Sequence, residues 1–363
     1  MCSSRPGLLI VSSLVWLACA SDQRASEKPR VRDAEVPEAP VLPPCMWRLD
    51  ACPEHITWRF DTLLRASELH VNATFIAIGG QVLGVSTGPS GSKSVVRLHM
   101  DDEIERYGEK FRRFTLPKAV VTLIDVVDGV AEPGNPPTVY ALACRQRRST
   151  CSLWQVSAAE PDGTALEEIA DSTFDGHPTA LLFDDDQHRP CVLDKGLHCF
   201  DGAWHEDIAP SSDEGELRDV AMGLSMSVAV AEHGVYWTRP GVAPDQSAMP
   251  WTRQSVDADV SWTGASDIYR GYFLIGERGA FMQSLPDGNS LCSHTSDFAA
   301  SSGSVLVTKP GDVLFGLNEA RCVLQSLGSD AIVASATVYC RASQNLLLMT
   351  EQSVLGTTFC ARL

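Results

Sequence analysis

The sequence contains no apolar run long enough to cross a membrane. The longest, Gly7–Ala18, has 12 residues, whereas a spanning helix needs about 20. Clusters of lysine and arginine are also missing, because 29 basic residues stand against 46 acidic ones and the net charge is −17. This balance argues against a nucleic-acid surface and against electrostatic docking to anionic lipids, which both need clustered positive charge. The acidity itself is expected to serve solubility.

Recognisable catalytic and metal motifs are absent as well. The chain has no G-x-S-x-G nucleophile motif, no glycine-rich phosphate loop and no C-x-x-C pair accompanied by paired histidines. Helical periodicity is nearly absent, and only residues 57–69 could form a short helix or a strand. The lack of helical periodicity predicts an all-β protein, and the lack of motifs means that no short sequence pattern indicates its function.

The short apolar run is predicted to be an export signal. Ala18-Cys19-Ala20 fits a signal-peptidase site. Trp16-Leu17-Ala18-Cys19 resembles a bacterial lipobox, in which Cys19 would become the lipidated N-terminus, although Trp16 stands where leucine is preferred. We expect residues 1–20 to be a signal peptide with lipidation at Cys19, and simple secretion is the alternative.

The segment after the signal is predicted to be a tether. Residues 21–44 contain five prolines, mixed charges and almost no large apolar side chains. Such a segment cannot bury enough surface to offset its ordering entropy, so we expect a disordered, partly extended linker. Residues 45–363 have a uniform composition and are predicted to form one domain, large enough for a sizeable core.

Ten cysteines remain outside the signal region, and an even number in an exported chain predicts disulfides. They are Cys45, Cys52, Cys144, Cys151, Cys191, Cys199, Cys292, Cys322, Cys340 and Cys360. Cys191 and Cys199 are symmetric about the loop Asp194-Lys195-Gly196, in which Gly196 can supply a left-handed residue. Two cysteines facing each other across such a hairpin lie within bonding reach.

The other pairings follow from spacing alone. Cys144 and Cys151 flank a turn in the same way, and Cys45–Cys52 would close a small loop. The last four cysteines allow three pairings, of which proximity favours Cys292–Cys322 and Cys340–Cys360. A zinc site is disfavoured because none of the spacings is C-x-x-C.

A hairpin pattern recurs along the chain: apolar residues, an acidic or small polar turn, then apolar residues again. The clearest copies are residues 228–237, 273–282 and 347–355. Centres of the pattern lie near Gly80, Arg147, Lys195, Glu232, Glu277, Glu319 and Glu351. Their mean spacing is close to that of a four-stranded propeller blade. We therefore predict a single, disulfide-stapled β-propeller of about seven blades, with six or eight blades as alternatives.

Two copies of the pattern resemble the repeats of BNR-like propellers, as found in the photosystem-assembly-factor and sialidase-like groups. The resemblance lies in Leu217–Gly223 followed by Val228–Tyr236, and in Ala265–Phe281. Residues 284–288 occupy the place of an Asp-box, with the aspartate displaced by one position and the tryptophan missing. The resemblance implies the propeller architecture and covers about half of the chain.

Three sets of residues could carry chemistry. A sialidase-like site could recruit Arg218, Arg253, Arg270, Tyr236, Tyr269 and Glu277, although their spacing does not single them out. Asp184, Asp185 and Asp186 could bind calcium, since hard cations prefer clustered carboxylates; a solvated loop is the alternative. Trp154, Trp204, Trp237, Trp251 and Trp262 could form an aromatic platform for a ligand or pack between blades.

The sequence thus predicts an exported, lipid-anchored β-propeller that serves as a binding or scaffold protein of the bacterial cell envelope. Its partner would be an envelope protein or a glycan, and it would contact the membrane only through its lipid. It would bind no nucleic acid and, calcium apart, no cofactor. The expected location is the outer membrane or cell surface, otherwise the periplasm or the medium. The alternative is a carbohydrate-active enzyme of sialidase-like or lyase type.

Overall fold

The computed structural model describes residues 42–45, 60–88, 91–129, 136–146, 150–223, 226–239, 250–256, 259–268, 271–285, 288–302, 305–309, 311–317, 320–327, 332–340 and 343–357. Over these ranges the chain is almost entirely β-strand, with two short α-helices, α1 (Ala66–Leu69) and α2 (Asp101–Tyr107). Neither of the two is long and apolar enough to cross a bilayer.

Within the described ranges, 28 strands form seven antiparallel sheets of four strands each. β1 (Phe60–Arg65) comes first in the chain and belongs to the seventh sheet. The first sheet contains β2 (Thr74–Gly79), β3 (Val82–Ser86), β4 (Lys93–Leu98) and β5 (Phe111–Thr115). The second contains β6 (Thr122–Gly129), β7 (Thr138–Gln146), β8 (Thr150–Ser157) and β9 (Glu167–Glu168). The third contains β10 (Ala180–Asp184), β11 (Arg189–Leu193), β12 (Leu197–Phe200) and β13 (Trp204–Ile208).

The next four sheets follow in chain order. They contain β14 (Leu217–Ala221), β15 (Ser227–Ala231), β16 (Gly234–Thr238), β17 (Thr252–Gln254); β18 (Trp262–Ile268), β19 (Gly271–Gly276), β20 (Ala280–Leu285), β21 (Gly288–Ser293); β22 (Phe298–Ser302), β23 (Val305–Thr308), β24 (Asp312–Leu317), β25 (Ala320–Ser326); and β26 (Ala334–Cys340), β27 (Ser343–Met349), β28 (Ser353–Thr357) with β1.

Each sheet packs against the first strand of the next, and the seventh packs against the first through β26 and β2. The sheets are therefore the blades of a seven-bladed propeller, which confirms the predicted fold. The first strands are innermost and the fourth strands outermost. The ring is closed by β1, the outermost strand of the seventh blade, which pairs with β28 from Phe60↔Thr357 to Arg65↔Ser353. Residues 57–69, for which the sequence allowed a helix or a strand, contain both, because β1 is followed directly by α1.

The turns of the blades fall on two faces, because antiparallel strands alternate in direction. One face carries the connections between blades and the turns between second and third strands; it is named the connection face. The other carries the turns between first and second and between third and fourth strands; it is named the opposite face. Lys195, Glu232, Glu277 and Glu351 all lie in second-to-third turns, on the connection face.

The predicted hairpin centres do not all correspond to the same turn of a blade. Gly80, with φ 61°, joins the first and second strands of its blade, whereas Lys195, Glu232, Glu277 and Glu351 lie between the second and third. Glu319 falls between β24 and β25, the third and fourth strands, and like Arg147 lies outside the described residues. Every turn of a blade links two apolar strands, so an apolar–turn–apolar pattern does not distinguish one turn from another.

Backbone hydrogen bonds tie the tip of one blade to the innermost strand of the next. An N–H at the start of a first strand donates to a carbonyl of the preceding second-to-third turn at 2.9 Å in three places: Phe75 to Glu351, Leu217 to Lys195, and Trp262 to Glu232. The turn residue contributes its main chain to this bond. The acidic side chains that recur at the tips therefore need no catalytic explanation.

The core lies between the blades, where both faces of each sheet are buried. In β15, Val228 and Val230 pack with residues of the fifth blade, while Ala229 and Ala231 pack with residues of the third. This division follows from the two-residue period of a strand. Trp262 is 2% exposed and belongs to the same core between the fourth and fifth blades.

Buried aspartates add a second tie between neighbouring inner strands. Asp125, just after a bulge in β6, accepts the N–H groups of Val126 and, in the next blade, of Leu181, both at 2.8 Å. Asp219 in β14 repeats the arrangement, with Val220 at 2.8 Å and Ala265 of the next blade at 2.9 Å. Burial raises the pKa of Asp125 to about 7, against the opposing effect of its two N–H donors.

Three disulfides join described cysteines. Cys144–Cys151 and Cys191–Cys199 cross the second-to-third hairpins of their blades, as predicted. Cys19, Cys52 and Cys360 lie outside the described residues, and the side chains of Cys322 and Cys340 are not among those described. The lipidation of Cys19 and the Cys340–Cys360 pair therefore stay predictions.

The third disulfide, Cys45–Cys292, shows that the predicted pairs Cys45–Cys52 and Cys292–Cys322 were wrong. Residues 42–45 run beside β21, where the N–H of Cys45 donates to the carbonyl of Ser293 at 2.7 Å and Pro44 pairs in parallel with Ser293. The two cysteines are 247 positions apart in the sequence. Proximity along the chain could not reveal this pair, because the fold brings the N-terminal segment to the outer strand of the fifth blade.

We predict that Asp125→Asn flattens the pH dependence of stability. The pKa of Asp125 in the folded state, about 7, lies above the ordinary value of 3.8, so the folded state binds the proton more tightly than the unfolded state. Protonated Asp125 therefore stabilises the fold. This contribution is complete below pH 4 and is lost as the pH rises through 7. Urea unfolding at pH 5 and pH 8 should show the loss in the natural protein and a smaller one in the variant. The exposed Asp175→Asn is the control, and an unchanged slope in Asp125→Asn would contradict the assignment.

Candidate functional site

The residues considered for a sialidase-like site are distributed over two blades, and those described are engaged with other groups. Arg218 forms a salt bridge with Glu232 at 3.0 Å. Tyr236 and Arg253 both contact Glu214, which sequence reasoning did not single out. Glu277 lies at the β19–β20 turn, and Tyr269 and Arg270 lie outside the described residues.

Glu214 is the centre of a buried polar network on the connection face. It lies in the connection from β13 to β14 and is 4% exposed. Its Oε2 accepts the Tyr236 hydroxyl at 2.7 Å, the Ser211 hydroxyl at 2.5 Å and the Ser211 N–H at 2.9 Å. Its Oε1 accepts the Nε–H of Arg253. Four donors therefore converge on one carboxylate.

The electrostatics of this network keep Glu214 ionised. Burial alone would raise its pKa, but the hydrogen bonds from Ser211, Tyr236 and Arg253 lower the pKa of Glu214 to about 2. Burial and the Glu214 acceptor raise the pKa of the Tyr236 hydroxyl above its usual value. A carboxylate with so low a pKa cannot serve as a general acid at neutral pH, and a tyrosine that holds its proton is a poor nucleophile.

The local sequence explains how Glu214 reaches this position. Ser211 and Glu214 have the S-x-x-E spacing of a capping box, in which the glutamate side chain returns to the serine N–H. Gly215 has φ 77°, a conformation that L side chains rarely adopt, and turns the chain into β14. At Gly234 a Cβ would lie 3.2 Å from Glu214 Oε1, so the strand opposite leaves space for the carboxylate. The S-x-x-E spacing is the signal that could have revealed Glu214.

A cavity of about 270 Å³ lies beside this network, between β16, β17 and the connection that leads to β18. Val235, Val256, Val260 and Trp262 supply its apolar side chains. Its polar side chains are those of His233, Arg253, Gln254, Ser255 and Asp259. The cavity therefore joins an apolar floor to a rim that is rich in hydrogen-bond donors.

The three aspartates considered for calcium form a turn between β10 and β11. Asp184 accepts the N–H groups of Asp186 and Gln187, both at 3.2 Å, and pairs with Arg189 at 3.4 Å. Asp185 and Asp186 are exposed. No group of three or more histidine, cysteine or acidic side chains is placed to hold a metal in the part of the chain that is described. Calcium binding at this turn stays a prediction.

The tryptophans do not form one aromatic platform. Trp262 and Trp154 are buried, 2% and 3% exposed, and pack in the cores between blades. Trp204 is partly buried, donates its indole N–H to the carbonyl of Thr173 at 3.1 Å and packs on Phe174 and Phe200. Packing accounts for these three side chains.

Large apolar side chains are exposed at four described positions: Val71 (82%), Ile76 (40%), Val121 (58%) and Val333 (47%). The three valines lie in the connections that lead into β2, β6 and β26, and Ile76 is the third residue of β2. These strands belong to the first, second and seventh blades, which are neighbours in the ring. The four residues, named the apolar patch, therefore lie in one sector of the ring, the three valines on the connection face and Ile76 on an innermost strand.

We predict that Glu214→Gln destabilises the fold far more than Glu232→Gln, its half-exposed control on the same face. Glu214→Gln places an amide N–H₂ group among four hydrogen-bond donors and should lower the free energy of unfolding by about 2–3 kcal/mol. Glu232→Gln should lower it by less than about 1 kcal/mol. Because the pKa of Glu214 is lowered to about 2, its contribution is present above pH 4.5 and lost as the pH falls towards 2. Chemical unfolding at pH 7 and pH 3 measures both effects, and equal losses for the two variants would refute the network.

No protein-family model and no curated protein matches the sequence. Solved structures do match the fold. The structure described as "YCF48 bound to D1 peptide" is similar with a TM-score of 0.51 at 12% identity, over 87% of this chain and 98% of that one. YCF48 from Cyanidioschyzon merolae gives 0.52 at 9% identity, over 83% and 98%. The WD40 β-propeller domain of Doa1 gives 0.50 at 10% identity, over 80% and 95%.

At these identities the similarity concerns the fold alone. Two of the three structures are of YCF48, a photosystem assembly factor, so the resemblance to that group is confirmed at the level of the β-propeller. The sialidase-like features and the bacterial lipoprotein assignment stay predictions.

Proposed function

We propose that this protein is an exported β-propeller, anchored by a lipid on Cys19, that binds a protein partner in the bacterial cell envelope. The observation that carries the binding is the apolar patch. Single exposed apolar residues are normal on a protein surface, but several in one sector of the ring favour an interaction site, because a partner that buries them removes their apolar surface from water. The three valines of the patch also lie on the face where the connections between blades can vary without disturbing the sheets.

The structural similarity supports a protein partner. One of the similar propellers, YCF48, is in complex with a peptide, so a propeller of similar fold can present a surface to a protein segment. The buried tryptophans favour the same choice over a glycan, since sugars are held by exposed aromatic faces and Trp154 and Trp262 offer none.

Export is supported by the N-terminal pattern and by the cysteines. Gly7–Ala18 followed by Cys19 is typical of an exported lipoprotein. The part of the predicted tether that precedes the segment bound to β21, residues 21–41, would hold the domain away from the membrane. The described disulfides belong to the chemistry of oxidising compartments, where such bonds persist.

The carbohydrate-active alternative receives less support from the geometry. A sialidase-like centre needs several arginines that converge on one substrate carboxylate. Arg218 lies on the innermost strand of the fourth blade and is paired with Glu232, whereas Arg253 lies on the outermost strand of that blade. The Tyr236 hydroxyl donates a hydrogen bond to Glu214 and keeps its proton, so it is a poor nucleophile.

The binding proposal is tested by site-specific photo-cross-linking in cells of the native host. A photoreactive residue at Val121 should trap one protein of defined mass, and Val333→Lys in the same chain should abolish that adduct. Gln187, exposed on the opposite face, is the control position. The same adduct from Gln187, no adduct from Val121, or an adduct that survives Val333→Lys would overturn the proposal.

The anchor is tested by labelling growing cells with an alkyne-bearing palmitate analogue. The natural protein should carry the label and fractionate with membranes. Cys19→Ala should lose the label and leave the membrane fraction, while Cys2→Ala, the other cysteine of the signal region, should leave the mature protein labelled. A natural protein without label would refute lipidation and favour simple secretion.

A further inference from the structure

The cavity between the fourth and fifth blades has an apolar floor fixed by the core. Val235 and Trp262 line it and are 1% and 2% exposed. Val256 and Val260, from the connection to β18, are partly buried and pack against the same core. The apolar surface that a ligand could cover is therefore that of Val256 and Val260, which the buried Val235 and Trp262 hold in place, so covering it requires no prior ordering of the site.

The rim presents a guanidinium that is held in place. Arg253 lines the cavity and donates its Nε–H to Glu214, which is itself fixed by Ser211 and Tyr236. Neither Nη group of Arg253 has an acceptor among the described residues. A guanidinium oriented through its Nε and open at its Nη groups is suited to bind a carboxylate, because its planar fork matches the two oxygens.

A second donor is oriented next to the guanidinium. Gln254 follows Arg253 in β17, and its Oε1 accepts the Tyr272 hydroxyl at 2.6 Å. Because this bond engages the amide oxygen, the N–H₂ group remains for a ligand. The rim also contains the exposed imidazole of His233 and one carboxylate, Asp259, which can accept an N–H.

We propose that this cavity binds the carboxylate of a ligand with an apolar body, such as the C-terminal residue of a peptide. The carboxylate would bind Arg253 and Gln254, the apolar body would cover the valine floor, and the ligand's amide N–H would face Asp259. The volume of about 270 Å³ suits a group the size of one residue. A uronic sugar fits less well, because its hydroxyl-bearing ring would cover apolar side chains and Trp262 exposes no face for stacking.

The proposal is tested by ligand-observed NMR titration of the folded protein. N-acetyl-leucine and a tetrapeptide that ends in leucine should show saturable binding. N-acetyl-leucinamide, which lacks the carboxylate, and glucuronate, which lacks the apolar body, should bind about tenfold more weakly or not at all. If only the tetrapeptide binds, the ligand is a chain terminus; if both acids bind equally, a small acid suffices. Both results support the carboxylate site.

Variants identify the residues responsible. Arg253→Gln should weaken N-acetyl-leucine binding about tenfold or more, and Arg253→Lys should recover only part of the loss, since an ammonium lacks the fork. Arg218→Gln, which removes the other paired arginine of the fourth blade, is the matched control and should bind normally. Equal binding of the acid and the amide, stronger binding of glucuronate, or normal binding by a folded Arg253→Gln protein would overturn the proposal. None of these outcomes depends on the apolar patch.

Discussion

The propeller depends on the docking of each innermost strand onto the preceding blade. A four-stranded sheet buried on both faces is not stable alone, so the blades must cover one another, and the ring must close. Main-chain bonds to Glu351, Lys195 and Glu232 fix where the next inner strand begins, while β1 pairing with β28 closes the ring. Once these positions are fixed, the alternation of side chains along each strand decides which neighbour a residue packs against.

Polar groups buried between the blades follow the same constraint. Asp125 and Asp219 each accept one N–H group of their own strand and one of the next blade. Each carboxylate therefore supplies an acceptor to the backbone beside a bulge and to the neighbouring inner strand. The cost of burying a carboxylate appears in the raised pKa of Asp125. Glu214 shows the opposite case, since four donors more than offset burial and lower its pKa. Buried carboxylates in this protein hold the structure together, and their pKa values differ because their donors differ.

The same rigidity gives the connection face its capacity to bind. Inner strands that are fixed by their neighbours present the connections between blades as a set of preformed surfaces. The apolar patch and the cavity beside Arg253 lie in different sectors of the ring, the first around blades seven, one and two, the second between blades four and five. The apolar patch exposes four apolar side chains, whereas the cavity combines apolar side chains with oriented hydrogen-bond donors. The two therefore suit different parts of a partner or different ligands.

The sequence by itself determined the fold class, the number of blades to within one, and the two hairpin disulfides. These depend on local patterns: alternating apolar residues, turns, and cysteines that face each other across one turn. It did not determine the role of each turn, since all turns in a blade look alike in sequence. The partner of Cys45, the convergence of Ser211, Tyr236 and Arg253 on Glu214, and the apolar patch were decided only by the tertiary structure. Each joins residues that are distant in the chain, and only the closed ring of blades brings them together.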